Sequence, residues 1–190
     1  MSDYIKGRHI MLRMVDDCDL PFLSGMFRNI SRRELWTDNR RIVMSDEFRE
    51  SFRQDMRHFY HTFFVISTVE DPDTPVGFFY SYHYSPSDGY AYTTLAMDDE
   101  CRLSGIAAEA GIIAYRYLFE KYPIRKLYAE IYEYNQASLS FIRRIGFEEE
   151  GFLKNHIYYQ GRYYGKFIYA LYPERAEKFY RLTESAGTDV

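Results

Sequence analysis

LAMDDECRLSGIAAE, residues 95–109, joins a β-rich run to a segment with helical spacing. Backbone N–H groups in the first turn of a helix lack intrahelical partners, and the helix dipole adds a partial positive charge there. Gly105 has no side chain and Ala107 has only a methyl group, so an anion can come close to these amides. Arg102 supplies a full positive charge nearby in the sequence. The stretch therefore predicts a diphosphate-binding helix start.

Strands and helices alternate on both sides of this stretch. Runs rich in β-forming residues predict strands over residues 8–15, 62–66, 76–84, 90–97 and 125–132, and two more within 147–172, around a turn at Gln160-Gly161-Arg162. Helical spacing predicts helices ending near Asn29 and His61, then at 105–120, between Asn135 and Gly146, and at 173–183. The strand–helix–strand step through residues 90–132 requires a parallel pair. We expect one α/β domain over residues 1–190, with a mixed, mostly antiparallel sheet.

Composition excludes several classes of protein. The chain has 190 residues, a formal net charge of −4 and 19% aromatic residues, so it is globular and has no overall basic charge for nucleic acid. No apolar run is long enough to cross a membrane, and residues 1–10 do not resemble a signal peptide. Cys18 and Cys101 are too few for a disulfide framework or a zinc site. These features predict a cytoplasmic protein without a metal.

Three blocks together resemble the GNAT superfamily of N-acyltransferases. Arg102-x-x-Gly105-x-Ala107, after the strand Leu95-Ala96-Met97, is similar to its acyl-CoA loop. A second block runs from Leu127 through Asn135-Gln136-Ala137-Ser138 to Gly146-Phe147. A third, in residues 150–163, is similar to the RimJ/RimL-like branch, which acetylates protein N-termini and includes aminosugar enzymes.

The resemblance implies a site for acetyl-CoA or another short acyl-CoA between two splayed parallel strands. Leu95 and Met97 would pair with the pantetheine arm, Asn135 would hydrogen-bond it, and Arg144 would reach the 3′-phosphate. Arg102 and the amides of the helix start would hold the pyrophosphate; these amides belong to Leu103, Ser104, Gly105, Ile106, Ala107 and Ala108. Asn135 could equally be a helix N-cap, and Arg144 a solvated partner of a helix C-terminus.

The sequence departs from the family pattern at one catalytic position. Many members carry a Tyr seven residues after the motif Asn to protonate the departing thiolate, and Ile142 stands there. Ser138 is then the candidate thiolate partner, although it could be a simple helix-surface hydroxyl. Glu130 and His156 are equal candidates for the general base, acting directly or through water.

The amine acceptor is left open by the sequence. Trp36, His83 and Tyr84 are candidates for the acceptor pocket, with core packing as the alternative. The resemblance implies a protein N-terminus or a small amine such as an aminosugar as the acceptor. The tyrosines near residue 160 are a candidate surface for a second copy of the chain. Because Ile142 stands where many family members carry the proton-donating Tyr, the alternative hypothesis is a catalytically silent acyl-CoA-binding sensor or scaffold.

Overall fold

The structure is a computed structural model that describes residues 4–37, 47–98, 101, 105–177 and 180. The strands are β1 (Tyr4–Lys6), β2 (Ile10–Met14), β3 (Tyr60–Thr68), β4 (Pro75–Ser85), β5 (Tyr90–Met97), β6 (Lys126–Tyr132), β7 (Glu148–Tyr159) and β8 (Arg162–Leu171). The helices are α1 (Leu20–Arg28), α2 (Ile30–Arg33), α3 (Phe48–His58), α4 (Gly105–Lys121) and α5 (Gln136–Arg144).

The strands form one mixed sheet in the order β1-β2-β3-β4-β5-β6-β8-β7. β1 to β4 pair antiparallel, as do β6 with β8 and β8 with β7. β5 and β6 run parallel, with Ala91 opposite Leu127 and Tyr92 opposite Tyr128. α4 is the crossover that such a parallel pair requires. The predicted mixed, mostly antiparallel sheet with a central parallel pair is therefore confirmed.

The chain divides into two compact units. The first contains Met1–His83 and Thr94–Ala110, and the second contains Tyr84–Thr93 and Gly111–Val190. β4, β5 and α4 each contribute residues to both units. The single domain expected over residues 1–190 stays a prediction.

Aromatic rings form the core of the first unit. Phe63 on β3 and Phe78 on β4 are buried, and their ring centroids are 5.7 Å apart. Phe52 of α3 packs edge-on against Phe63 at 5.2 Å, and Phe27 of α1 stacks on Phe78 at 5.4 Å. Large rings bury much apolar area per residue, which accounts for part of the high aromatic content.

In the second unit, α4 packs on one face of the sheet through a buried polar contact. The Thr93 hydroxyl on β5 donates to the Tyr128 carbonyl on β6 at 3.0 Å. Thr93 also hydrogen-bonds the phenol of Tyr115 on α4, and burial raises the pKa of Tyr115 well above its ordinary value despite that bond. This contact joins the start of the parallel strand pair to the helix that connects the two strands.

Turn positions follow the sequence prediction closely. Gly146, just past α5, has a φ of 94°, which is the left-handed conformation of a helix C-terminus. The β7–β8 turn at Gln160-Gly161 has φ values of 45° and 90°, as a two-residue hairpin requires. Residues 173–177 are helical, and the remainder of the helix predicted to residue 183 lies mostly outside the described residues. No described helix is both long and apolar enough to cross a bilayer.

Candidate active site

The first unit carries the end of β5 and the start of α4, where the sequence predicts the diphosphate site. Leu95 is half-buried and Met97 is buried on β5. A Cβ built on Gly77 of β4 would lie 2.6 Å from the Met97 Sδ and 2.7 Å from the Ala96 carbonyl oxygen. The backbones of β4 and β5 therefore approach very closely just before the candidate site.

The helix start has open space at its first residue. Gly105 begins α4 and is exposed, and a Cβ added there would meet no heavy atom of the described residues within 4 Å. Ala107 points into the core, whereas Ile106 and Ala108 are half-buried. Arg102, Leu103 and Ser104, the other predicted contacts of this loop, lie outside the described residues.

α4 is tied to the turn between β1 and β2 by Glu109, its fifth residue. The Glu109 carboxylate accepts the backbone N–H of Arg8 at 2.5 Å and that of His9 at 3.0 Å. Its second oxygen lies 2.9 Å from the His9 Nδ1. Three contacts to one carboxylate hold the start of the helix against the N-terminal hairpin.

An ion pair links the end of β5 to α2 in the first unit. The Arg32 guanidinium donates to the Asp98 carboxylate at 2.8 Å, and the Asp98 backbone N–H donates to the Val76 carbonyl at 2.7 Å. Sequence reasoning missed both this pair and the Glu109 contacts, because each joins residues far apart in the chain.

The second unit carries the motif Asn and the candidate acid. The Asn135 side chain is buried and accepts the backbone N–H of Ser138 at 3.2 Å, so Asn135 is the N-cap of α5. Ser138 itself is half-buried in the first turn. Ile142 lies one turn further on and is only 3% exposed, so its position faces the core.

Of the two candidate bases, Glu130 has a cation beside it. Its carboxylate lies 3.0 Å from the Nζ of Lys166 on β8, a side chain that is 8% exposed. Burial, and then the charge of Glu130, raise the pKa of the Tyr92 phenol, which stacks on Tyr128 with ring centroids 4.9 Å apart. Glu130 therefore lies among tyrosines on its strand face, as the alternation predicted.

His156 and Arg144 both lie at the surface. His156 is exposed on β7, the last strand of the sheet, next to an irregularity in the β7–β8 register between Leu153 and Ile157. Arg144 is exposed in the last turn of α5, where a cation is favourable for the helix dipole. Their predicted roles stay predictions.

The three candidate acceptor residues have different surroundings. Trp36 is half-buried and packs against Phe27 and Phe78 at 4.8 and 5.3 Å, within the aromatic core of the first unit. His83 is exposed, has a φ of 47° and contacts the Tyr82 ring at 5.0 Å. In the second unit, Tyr84 packs edge-on against Tyr122 at 5.8 Å.

Family comparison identifies the class of enzyme. A family model described as the acetyltransferase (GNAT) domain matches residues 40–168, more than half of the chain. The chain therefore belongs to the GNAT acetyltransferase family, and it is an N-acetyltransferase that uses acetyl-CoA. The fold class and the co-substrate predicted from the sequence are both confirmed.

Similar proteins match this chain along almost its whole length. The SPbeta prophage-derived uncharacterized N-acetyltransferase YokL of Bacillus subtilis strain 168 is 23% identical over 176 residues, covering 92% of this chain and 96% of its own. The spermidine N-acetyltransferase of Vibrio cholerae, solved with CoA and spermine, has a TM-score of 0.81 and 19% identity over 90% of this chain and 99% of its own.

A second similar solved structure is that of an acetyltransferase from Salmonella typhimurium that modifies the N-terminal serine of ribosomal protein L7/L12. It has a TM-score of 0.70 and 20% identity, covering 87% of this chain and 96% of its own. Likeness at this level of identity establishes the fold. Two different acceptor classes thus occur on folds similar to this one.

Proposed function

We propose that this chain acetylates the primary amine of a protein N-terminus or of a small amine such as an aminosugar, by direct attack in a ternary complex with acetyl-CoA. The observation that carries the proposal is the strand-to-helix step from Met97 to Gly105 in a chain of the GNAT family. The open space beside Gly105 supports close approach of a diphosphate to the first amides of α4.

In this proposal the co-substrate is held mainly by backbone groups. Leu95 and Met97 hydrogen-bond the pantetheine arm, and the loop and helix start of residues 102–108 bind the pyrophosphate. Asn135 contacts the arm, and Arg144 neutralises the 3′-phosphate. Gly105 supports the second of these roles, because it has no side chain to block the amides of the helix start.

The chemical step needs the removal of one proton from the amine nitrogen and the stabilisation of the departing thiolate. The neutral amine attacks the thioester carbonyl, the new C–N bond forms, and the C–S bond breaks to release the CoA thiolate. Glu130, or alternatively His156, removes the proton from the amine nitrogen, and Ser138 donates a hydrogen bond to the thiolate. The position of Ser138 in the first turn of α5 supports this role, because the dipole of the helix also favours an anion there.

A catalytically silent acyl-CoA sensor is the second candidate, and one observation favours it. Ile142, which occupies the position of the family Tyr, is buried and has no group that can donate a proton. Acetyl-CoA binding is common to both candidates, whereas turnover belongs only to the enzyme.

Thiol release from acetyl-CoA with a panel of amines tests the proposal. Ser138→Ala is expected to lower kcat about tenfold or more while leaving the Kd for acetyl-CoA unchanged, since it removes one hydrogen bond to a charged leaving group. Ser140→Ala is the control, because Ser140 is an exposed serine of the same helix. Unchanged turnover in Ser138→Ala would exclude Ser138 as the acid, and acetyl-CoA binding without thiol release would favour the sensor.

Exposed rings support a second copy of the chain as a partner. Tyr158 on β7 and Tyr163 on β8 are 48% and 64% exposed, and their rings contact each other at 5.3 Å. Exposed aromatic residues are enriched at protein interfaces. The homodimer and the cytoplasmic location both stay predictions.

A further inference from the structure

We propose that Lys166 determines acceptor specificity: its ammonium neutralises Glu130, which excludes polyamines and favours acceptors that have a single amino group. The inference rests on the proposed function, in which Glu130 is a candidate base on the acceptor side. Its test below separates the failure of this inference from the failure of the proposed function.

The geometry of the pair is set by strand register. Lys166 on β8 lies opposite Tyr132 on β6, and Glu130 precedes Tyr132 by two residues, so all three side chains share one face of the sheet. The Lys166 Nζ lies 3.0 Å from the Glu130 carboxylate, and the two side chains are 8% and 27% exposed. Lysine side chains this deeply buried are almost always paired with a close anionic group.

α5 packs on the opposite face. Ala129 and Tyr169 pair across β6 and β8 on that face, and the Arg143 side chain of α5 donates to the Tyr169 hydroxyl at 2.9 Å. Glu130, by alternation, points to the other side, where the stacked rings of Tyr92 and Tyr128 lie near it. Within the second unit, an acceptor reaches Glu130 from this tyrosine-lined face.

Polyamines need carboxylates whose charge is not already compensated. Among the described residues of the second unit, three of the five glutamates from β6 to the start of β7 are paired with cations: Glu130 with Lys166, Glu148 with Arg175, and Glu150 with Lys126. The other two accept from neutral groups, Glu133 from the Gly165 N–H and Glu149 from the Tyr169 hydroxyl. A polycation at Glu130 would therefore displace Lys166 or bring a second ammonium beside it, and like charges this close repel strongly.

The same ammonium helps an acceptor that has one amine. The attacking nitrogen must be neutral, and a nearby cation disfavours the protonated form of an amine. Beside the paired Lys166 and Glu130, the protonated form of a single amine gains little from the carboxylate, because the carboxylate charge is already compensated. The arrangement suits an N-terminal amine or an aminosugar.

The test compares two lysines on the same sheet face. Thiol release is measured with spermidine, glucosamine and a serine-initiated peptide for the wild type, Lys166→Met and Lys126→Met. Lys126 is the matched control, because its side chain is 12% exposed and it is also paired with a glutamate, Glu150. We expect Lys166→Met to raise kcat/KM for spermidine relative to glucosamine or the peptide by about tenfold or more, and Lys126→Met to change this ratio less than about twofold.

A gain of spermidine acetylation cannot come from a damaged fold. The double variant Lys166→Met/Glu130→Gln lacks the carboxylate that the gain requires. Because Glu130 is also the candidate base, this variant is compared by calorimetric titration of spermidine into the acetyl-CoA complex, and we expect its Kd to be no lower than that of the wild type. A wild type that prefers spermidine, or an unchanged ratio in Lys166→Met, would overturn the inference.

Failure of the proposed function has a different signature. The proposed function fails if the wild type binds acetyl-CoA but releases no thiol from it with any acceptor. In that case, calorimetric titration of spermidine into the acetyl-CoA complex decides the role of Lys166. Spermidine binding that is at least about tenfold tighter in Lys166→Met than in the wild type would support charge exclusion. A smaller difference, or no binding in either protein, would overturn it.

Discussion

Gly105→Val places a branched side chain at the first residue of α4 without disturbing the protein itself. Among residues 4–37, 47–98, 101, 105–177 and 180, no heavy atom lies within 4 Å of a Cβ at Gly105, so the added methyl groups meet none of these residues at that position. The exchange of Gly for Val in a helix changes stability by less than about 1 kcal/mol. If that space belongs to the diphosphate, the variant forces the anion away from the amides of the helix start.

The expected loss of affinity follows from the bonds that are displaced. A hydrogen bond between a backbone N–H and an anionic oxygen contributes about 1.5–3 kcal/mol, so losing one such bond raises the Kd for acetyl-CoA by about 10- to 100-fold. Calorimetric titration measures the Kd, and thermal unfolding verifies that the variant is folded.

Gly25→Val is the matched control for this experiment. Gly25 lies in α1, is exposed, and also has no heavy atom within 4 Å of a built Cβ. We expect this variant to bind acetyl-CoA as the wild type does. A folded Gly105→Val protein with a Kd within about twofold of wild type would refute the assignment of the diphosphate to this helix start.

Two further predictions concern the contacts that support the fold around the site. Glu109→Gln weakens the bonds to Arg8 and His9, so α4 is held less firmly. We expect calorimetry to show a Kd for acetyl-CoA raised about threefold and thermal unfolding to show a lower Tm. The control Glu120→Gln, on the same helix, is expected to leave the Kd unchanged. Burial lowers the pKa of His61 below its ordinary 6.5. As the pH falls, His61 is therefore protonated in the unfolded chain before it is protonated in the folded chain. The contribution of His61 to the free energy of unfolding is therefore full above about pH 6.5 and declines below it, and urea unfolding of wild type and His61→Gln across this range measures the difference. An equal slope in both proteins would contradict this account of His61.

The strand and helix order could be predicted because it rests on local patterns. β5 spans Tyr90–Met97, as alternation predicts, and α4 begins at Gly105, where the strand pattern gives way to helical spacing. β1 was not predicted, because three residues are too few to show a period and the strand depends on its pairing with β2. The charged partners of the site were missed for a related reason, since Glu109 meets Arg8 and His9 only after the chain has folded.

Family membership and the use of acetyl-CoA could be inferred from the sequence alone, because three blocks of short, local motifs resemble those of the GNAT family, whereas the strand-to-helix step by itself predicted only an anion site. The tertiary structure decided the surroundings of the candidate catalytic groups. Ile142 became a core residue, and Glu130 gained Lys166 as its partner. Such contacts follow from strand register and helix packing between distant segments, and a linear sequence does not show which segments will meet.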